Sequence, residues 1–299
     1  MTDGDYAPFA ATWVDHVLEF SQEFATQYGN SPEPNSTAAA EFSSPERGPQ
    51  GPWQRGAASR PYELAGGLLM IATAQFLRSL RLLLVPEMAL FGFQGITRST
   101  LEASARIAWV LDPAIGVRER VLRGALLELE SVRQAHAVEL AGGGDGSNYH
   151  RQISDLKIRM ALLGFVEKED KRHRLIGFDG EVLPSLTRAV TSLVPHLGLD
   201  HGELCYRSLS GVSHSLLYGI TEYLEVGEIT TPGKTRPVPS LPINAVANAV
   251  VLAADSYLFT VQRHAALWGR DDAQVVGKRL ELKAAVLGGL NRERIAPPA

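Results

Sequence analysis

The sequence predicts an all-α protein, a helical bundle of about seven to eight helices with a disordered N-terminal insert. Apolar residues recur at spacings of three and four in segment after segment, the signature of helices with one buried face. Strand-like alternation is confined to one short stretch around Arg174 to Val182, too short to build a sheet. The 299 residues are 45% apolar, enough to bury a core without disulfide staples. Read as a whole, the chain divides into a docking helix (1–28), a flexible linker (29–60), a bundle domain (61–290) and a tail (291–299).

Each element follows from its own residues. Trp13, Val17, Phe20 and Phe24 make an apolar stripe on the first helix, with carboxylates elsewhere. From Gly29 to Arg60 the composition turns to Ser, Pro, Gly and Ala, which bury little surface, so a flexible linker is expected. Pro61 opens a helix reaching about Val85, and Pro86 ends it. In the next helix, Glu87 to Leu111, Ile96, Ala103, Ile107 and Val110 share one face, while Gln94, Arg98, Glu102 and Trp109 lie roughly opposite. Arg98 and Glu102, four apart, can pair on the surface or be buried together against another helix.

Asp112 and Pro113 break the chain before Ala114 to Ala141, whose Arg118, Arg120, Arg123 and Arg133 among carboxylates read as a mixed-charge outer face. The run GGGDGSN, Gly142 to Asn148, is a flexible turn; no strand precedes it and no Lys follows where a phosphate loop needs one. Tyr149 to Leu163 is amphipathic, Glu167 to Arg174 is a solvated charge run, and RLIGFDGEV can form a small hairpin. Pro184 to His196 is a helix with Leu186, Val190, Leu193 and Val194 inward. Val226 to Pro242 reads as a Pro-rich loop. Ile243 to Leu267 is almost continuously apolar, with Asn248 and Asp255 seven apart, so at least one needs an interior partner. The last helix runs from Asp271 to Leu287 and stops at Gly288 and Gly289.

Composition limits function. A formal net charge of -4 and a pI near 6.1 provide no global basic field. Cys205, the single cysteine, cannot form an internal disulfide and fits an inert, buried thiol in a reducing compartment. The acidic N-terminus lacks a signal-peptide pattern, and Arg78, Arg81 and Asp255 interrupt the most apolar windows. The expectation is a cytoplasmic protein that does not enter the membrane. His196, His201 and Glu203 are too loosely spaced for a metal centre, so neither metal nor other cofactor is expected.

The chemistry concentrates in CYRSLSGVSHSLLYGITEY, Cys205 to Tyr223. On a helix, Cys205, Leu209, Val212, Leu216, Ile220 and Tyr223 form the core stripe. Arg207, Ser210, Gly211, His214, Tyr218 and Thr221 fall on the other side, with Arg207 and His214 nearly eclipsed about 10 Å apart along the axis. An imidazole beside a guanidinium suits metal-free RNA cleavage: one moves the 2′-hydroxyl proton, the other holds charge building on phosphorus oxygens.

The segment RSLSGVSH, Arg207 to His214, resembles the motif of the HEPN superfamily of helical-bundle proteins, an Arg and a His on one helix with four to six residues between. Many nucleases of that superfamily carry Asn, Asp or His directly after the Arg, where this chain has Ser208. The resemblance covers this helix and, loosely, the bundle from about residue 61 to 269. It implies a homodimer with paired motif helices, RNA as substrate, roles in toxin–antitoxin or phage-defence systems, and a protein partner such as an antitoxin. Three readings follow: an RNA endonuclease acting through His214 and Arg207, a non-catalytic interaction or regulatory protein of the same fold, and a small-molecule enzyme using His214, Arg207, Glu102 and Tyr218 in an interhelical pocket. Ser210 and Arg98 complete the candidate set.

Overall fold

The computed structural model describes residues 3–28, 31–43, 47–48, 51–52, 56–84, 92–200, 202–214, 216, 220–221, 224–231, 234–239 and 242–293. Its architecture is the all-α bundle that the periodicity predicts. Helix α1 spans Asp3–Tyr28 and α2 spans Thr37–Phe42. A continuous helical run, α3, comprises Arg60–Tyr62, a π-helical stretch Glu63–Leu69, and Met70–Leu83. Then follow α4 (Gly92–Val110), α5 (Val117–Ala141), α6 (Ser147–Leu162) and α7 (Leu186–Leu193) with a 3-10 turn at Val194–Leu197. Helices α8 (Gly202–Ser213), α9 (Ile243–Leu267) and α10 (Ala273–Glu293) complete the bundle.

Helix α4 is the hub, packing on α3, α7, α8 and α9. Its sequence explains this: Phe93, Gln94, Thr97, Thr100, Leu101, Ser104, Ala105, Ile107, Ala108 and Val110 are all buried, so it has almost no solvent face. Small residues let neighbours approach on several sides. The principal apolar cluster joins α1, α3, α9 and α10 through residues such as Val14, Val17, Leu77, Val250, Leu258 and Val286. Helix α9 is long and apolar enough to cross a membrane, yet 78% of its most apolar window is buried inside the protein. It is the core helix of the bundle.

Asp255 shows why a charge is tolerated there. Its side chain is fully buried and meets Arg279 at 2.6 Å and Lys283 at 2.7 Å, both from α10. Arg279 also donates to Gln262 Oε1 and the His196 carbonyl, and Lys283 donates to the Leu197 carbonyl, which ties α9, α10 and the 3-10 turn together. Asn248, the other polar residue anticipated on this helix, is exposed.

Several expectations are corrected. The linker at 29–60 is not uniformly free of structure: Ser36 Oγ accepts the Ala39 N–H to cap α2, and Ala38 and Glu41 are buried. Glu41 reaches Arg120 at 3.0 Å, so Arg120 does not belong to an outer charged face but is fully buried. Its Nη atoms donate to the Val110, Asp112 and Ile115 carbonyls, satisfying backbone acceptors where α4 ends. Tyr62 donates to Glu41 at 2.8 Å, and burial, reinforced by Glu41 against Arg120, pushes its phenol far above the usual range.

The charge run forms a strand, β3 (Glu167–Glu169), which pairs antiparallel with β4 (Leu175–Phe178); β4 pairs in turn with β5 (Glu181–Val182), the small hairpin the alternation suggests, so a stretch read as too short for a sheet is the core of a three-stranded one once the charge run adds its strand. The Pro-rich loop is instead an antiparallel ribbon, β6 (Leu224–Thr231) with β7 (Lys234–Pro239). A further short antiparallel pair joins β1 (Arg47–Gly48) to β2 (Gly51–Pro52). Gly288 and Gly289 do not end α10, which continues to Glu293. A Cβ at Gly289 would stand 3.2 Å from the Tyr6 ring, so glycine lets α10 close on α1.

A second close approach has a pH signature. A Cβ at Gly66, in the π-helical stretch, would stand 2.6 Å from the His264 ring, which lies 4.6 Å from the Trp268 ring. Burial, assisted by the Arg270 charge, lowers the His264 pKa to about 4. An unfolded histidine near 6.5 therefore takes up its proton first as pH falls. Above that pH both states are neutral and the group contributes nothing; between pH 6.5 and 4 stability is expected to fall, by up to about 3 kcal/mol. Urea titrations across this window check it, and the step should be absent in His264→Asn.

Candidate functional site

Arg98 and Glu102 are brought to the contact between α4 and α8, where α8 presents Tyr206 and the turn that follows it presents His214. Arg98 Nε donates to Glu102 Oε1 at 2.8 Å, the one-turn spacing read from the sequence. Arg98 Nη2 donates to the Tyr206 hydroxyl at 3.2 Å, and that hydroxyl donates to the same Glu102 Oε1 at 2.8 Å. The third guanidinium nitrogen, Nη1, lies 2.9 Å from His214 Nε2. With side chains only 19% and 21% exposed, Arg98 and Glu102 are more than a surface pair.

The bonding pattern fixes protonation. A guanidinium can only donate, so His214 Nε2 accepts with its lone pair and the ring proton resides on Nδ1. Burial raises the Tyr206 pKa and the bond to Glu102 raises it further, against Arg98, so the phenol keeps its proton. For Arg98, burial opposes the charge, but bonds to Glu102 and Tyr206 outweigh it and lift the pKa above its ordinary value. The result is a guanidinium, a carboxylate, a phenol and an imidazole in one connected set. His214 is exposed at the end of α8, its N–H bonded to the Ser210 carbonyl at 2.9 Å.

Helix α8 departs from the longer helix read from Cys205 to Tyr223. It closes at Ser213, and the Leu216 N–H reaches back five residues to the Gly211 carbonyl at 2.8 Å. Leu209 and Val212 are buried as expected, whereas Leu216 is 46% exposed and Tyr206 and Gly211 join the buried face. The wider turn rotates the chain beyond His214, which removes Leu216 from the core stripe. Cys205 is half-buried, and burial raises its thiol pKa, consistent with an unreactive sulfur.

Arg207 is placed differently from its anticipated role. Its guanidinium bonds to Glu203 one turn earlier, at 2.8 Å, and its side chain is 68% exposed. The arginine that touches His214 is Arg98, from a different helix. Ser210 is half-buried, one helical turn from both Tyr206 and His214. Tyr218 and His201 lie outside the described residues. Tyr206, which the sequence reading passed over, carries the link between α4 and α8; a tyrosine one position from the stripe was its only signal.

Among the described residues no three His, Cys, Asp or Glu side chains are grouped to hold a metal ion. A cleft of about 920 Å³ opens elsewhere, between α4, α5, α7 and the β4–β5 hairpin. Its charges are mostly matched internally: Arg118 with Asp179 and Arg263 with Asp112, each at 2.8 Å. Burial would raise the Asp112 pKa, but the Ala114 N–H, Arg263 and Arg123 together hold it below the usual carboxylate range.

Comparison with protein-family models, with curated proteins and with solved structures finds no match for this chain.

Proposed function

We propose that this is a HEPN-like protein that cleaves RNA without a metal ion, with His214 and Arg98 as its reacting pair. The observation that supports this reading is the 2.9 Å contact between Arg98 Nη1 and His214 Nε2 at an exposed helix end. As RNA binds, Arg98 Nη1 exchanges the imidazole for a phosphate oxygen, which frees the Nε2 lone pair beside the 2′-hydroxyl. His214 takes that proton, the 2′-oxygen attacks phosphorus, and the P–O5′ bond breaks with the leaving oxygen protonated from water. A 2′,3′-cyclic phosphate and a 5′-hydroxyl result. Arg207, exposed and the residue next to Tyr206, would hold the RNA backbone by exchanging its bond to Glu203 for a phosphate. The reading carries with it a cytoplasmic homodimer.

Incubation with single-stranded RNA in excess EDTA tests it. Cleavage is expected, reduced about 10²–10⁴-fold in His214→Ala, the range for losing a general base. Equal cleavage by that variant, or none by the wild type, removes the proposal. A second reading, a non-catalytic interaction protein of the same fold, draws on the same network: every guanidinium nitrogen of Arg98 is already bonded. Recovery of a stable protein complex without RNA turnover favours it.

A further inference from the structure

Two half-buried arginines, Arg106 from α4 and Arg133 from α5, line one cavity of about 310 Å³ beneath β4 and the Val182–Leu186 segment. Among the described residues Arg106 has no hydrogen bond or ion pair, and Arg133 has only the Leu175 carbonyl as acceptor of its Nη2. The single carboxylate in the lining, Glu130, is more than 4.0 Å from either guanidinium and accepts from Gln134 at 2.8 Å. By contrast the fully buried Arg120 and the largely buried Arg98, Arg123, Arg263 and Arg279 each have a carboxylate partner. A guanidinium taken out of water without a counter-ion is costly, and two facing one space leave an excess positive charge there.

Leu126, Leu129, Ile176 and Leu183 supply aliphatic surface to the same lining, beside Ser185 and Glu130. The geometry points to a binding site for a small amphiphile, an anionic oxo group held by Arg106 and Arg133 on a short aliphatic body. Carboxylate and phosphate both match the guanidinium fork. At about 30 Å³ per water-sized group, the cavity takes roughly ten non-hydrogen atoms, the size of an eight-carbon acid. The site is separate from the His214 cluster and does not depend on the nuclease reading.

Calorimetric titration of the full chain tests it, with octanoate and octyl phosphate as probes, below micellar concentrations, and octanol and acetate as controls. One-to-one saturable binding of at least one anionic amphiphile is expected, with octanol and acetate at least tenfold weaker. Arg106→Gln and Arg133→Gln should each weaken binding about tenfold or more, as loss of a charge-assisted hydrogen bond does. The tighter of the two probes identifies the head group. Failure of both probes to saturate, octanol binding as tightly as octanoate, or affinity unchanged in the folded variants overturns the site. The comparison of octanoate with octanol needs no variant and decides the matter if either substitution prevents folding.

Discussion

Glu41→Ala is expected to lower the free energy of unfolding by about 3–5 kcal/mol, the range for removing one partner of a buried ion pair. Arg120 has no exposed side-chain surface, so the lost carboxylate cannot be replaced by water without opening the contact. The Tyr62 hydroxyl loses its acceptor in the same step. Replacing the pair by apolar residues, Glu41→Leu with Arg120→Met, should not restore full stability, because the Val110, Asp112 and Ile115 carbonyls then lose their donor. Denaturant midpoints of the single and double variants measure both effects. A Glu41→Ala variant as stable as the parent would show that α2 does not dock through this pair.

Asp255→Ala is expected to cost about 2–4 kcal/mol, somewhat less than the first because its partners are less enclosed. Arg279 and Lys283 retain 11% and 26% side-chain exposure, so solvent can partly compensate them. Arg279 also keeps Gln262 and the His196 carbonyl. The loss should appear as faster amide exchange in α10 and in the 3-10 turn at Val194–Leu197, since the same cations bind both. Exchange unchanged in that turn would separate it from the Asp255 network.

These two residues also show what a sequence can and cannot convey. Asp255 was legible as a problem, because a carboxylate in a long apolar helix demands a partner, but its partners lie in the next helix. Arg120 was not legible: among Glu119, Arg118 and Arg123 it looks solvated, and its partner is 79 positions away in a Ser- and Pro-rich stretch. Local composition suggested disorder there, and one tertiary ion pair with a buried Ala38 overrides it. The ribbon β6–β7 was hidden because its prolines interrupt any alternation, although prolines are tolerated on a two-stranded edge.

At the candidate site, the spacing of Arg98 and Glu102 identified a pair within one helix, and His214 stood out by its chemistry. Helical periodicity favours Arg207 as its partner because it reports only the faces of a single helix. The contact from Arg98 crosses 116 residues, and nothing in the local pattern carries such information. Tyr206 is hidden for the same reason, since its role arises only where α8 meets α4.

The proposed chemistry depends on the imidazole of His214 accepting a hydrogen bond from Arg98 on another helix. Nitrogen-15 spectra of the histidine side chains at neutral to mildly alkaline pH read this directly. The expected result is a His214 ring with its proton on Nδ1 and an accepting Nε2 whose resonance shifts in Arg98→Gln but not in Arg207→Gln. A ring protonated at Nε2, with a resonance indifferent to Arg98, would contradict it.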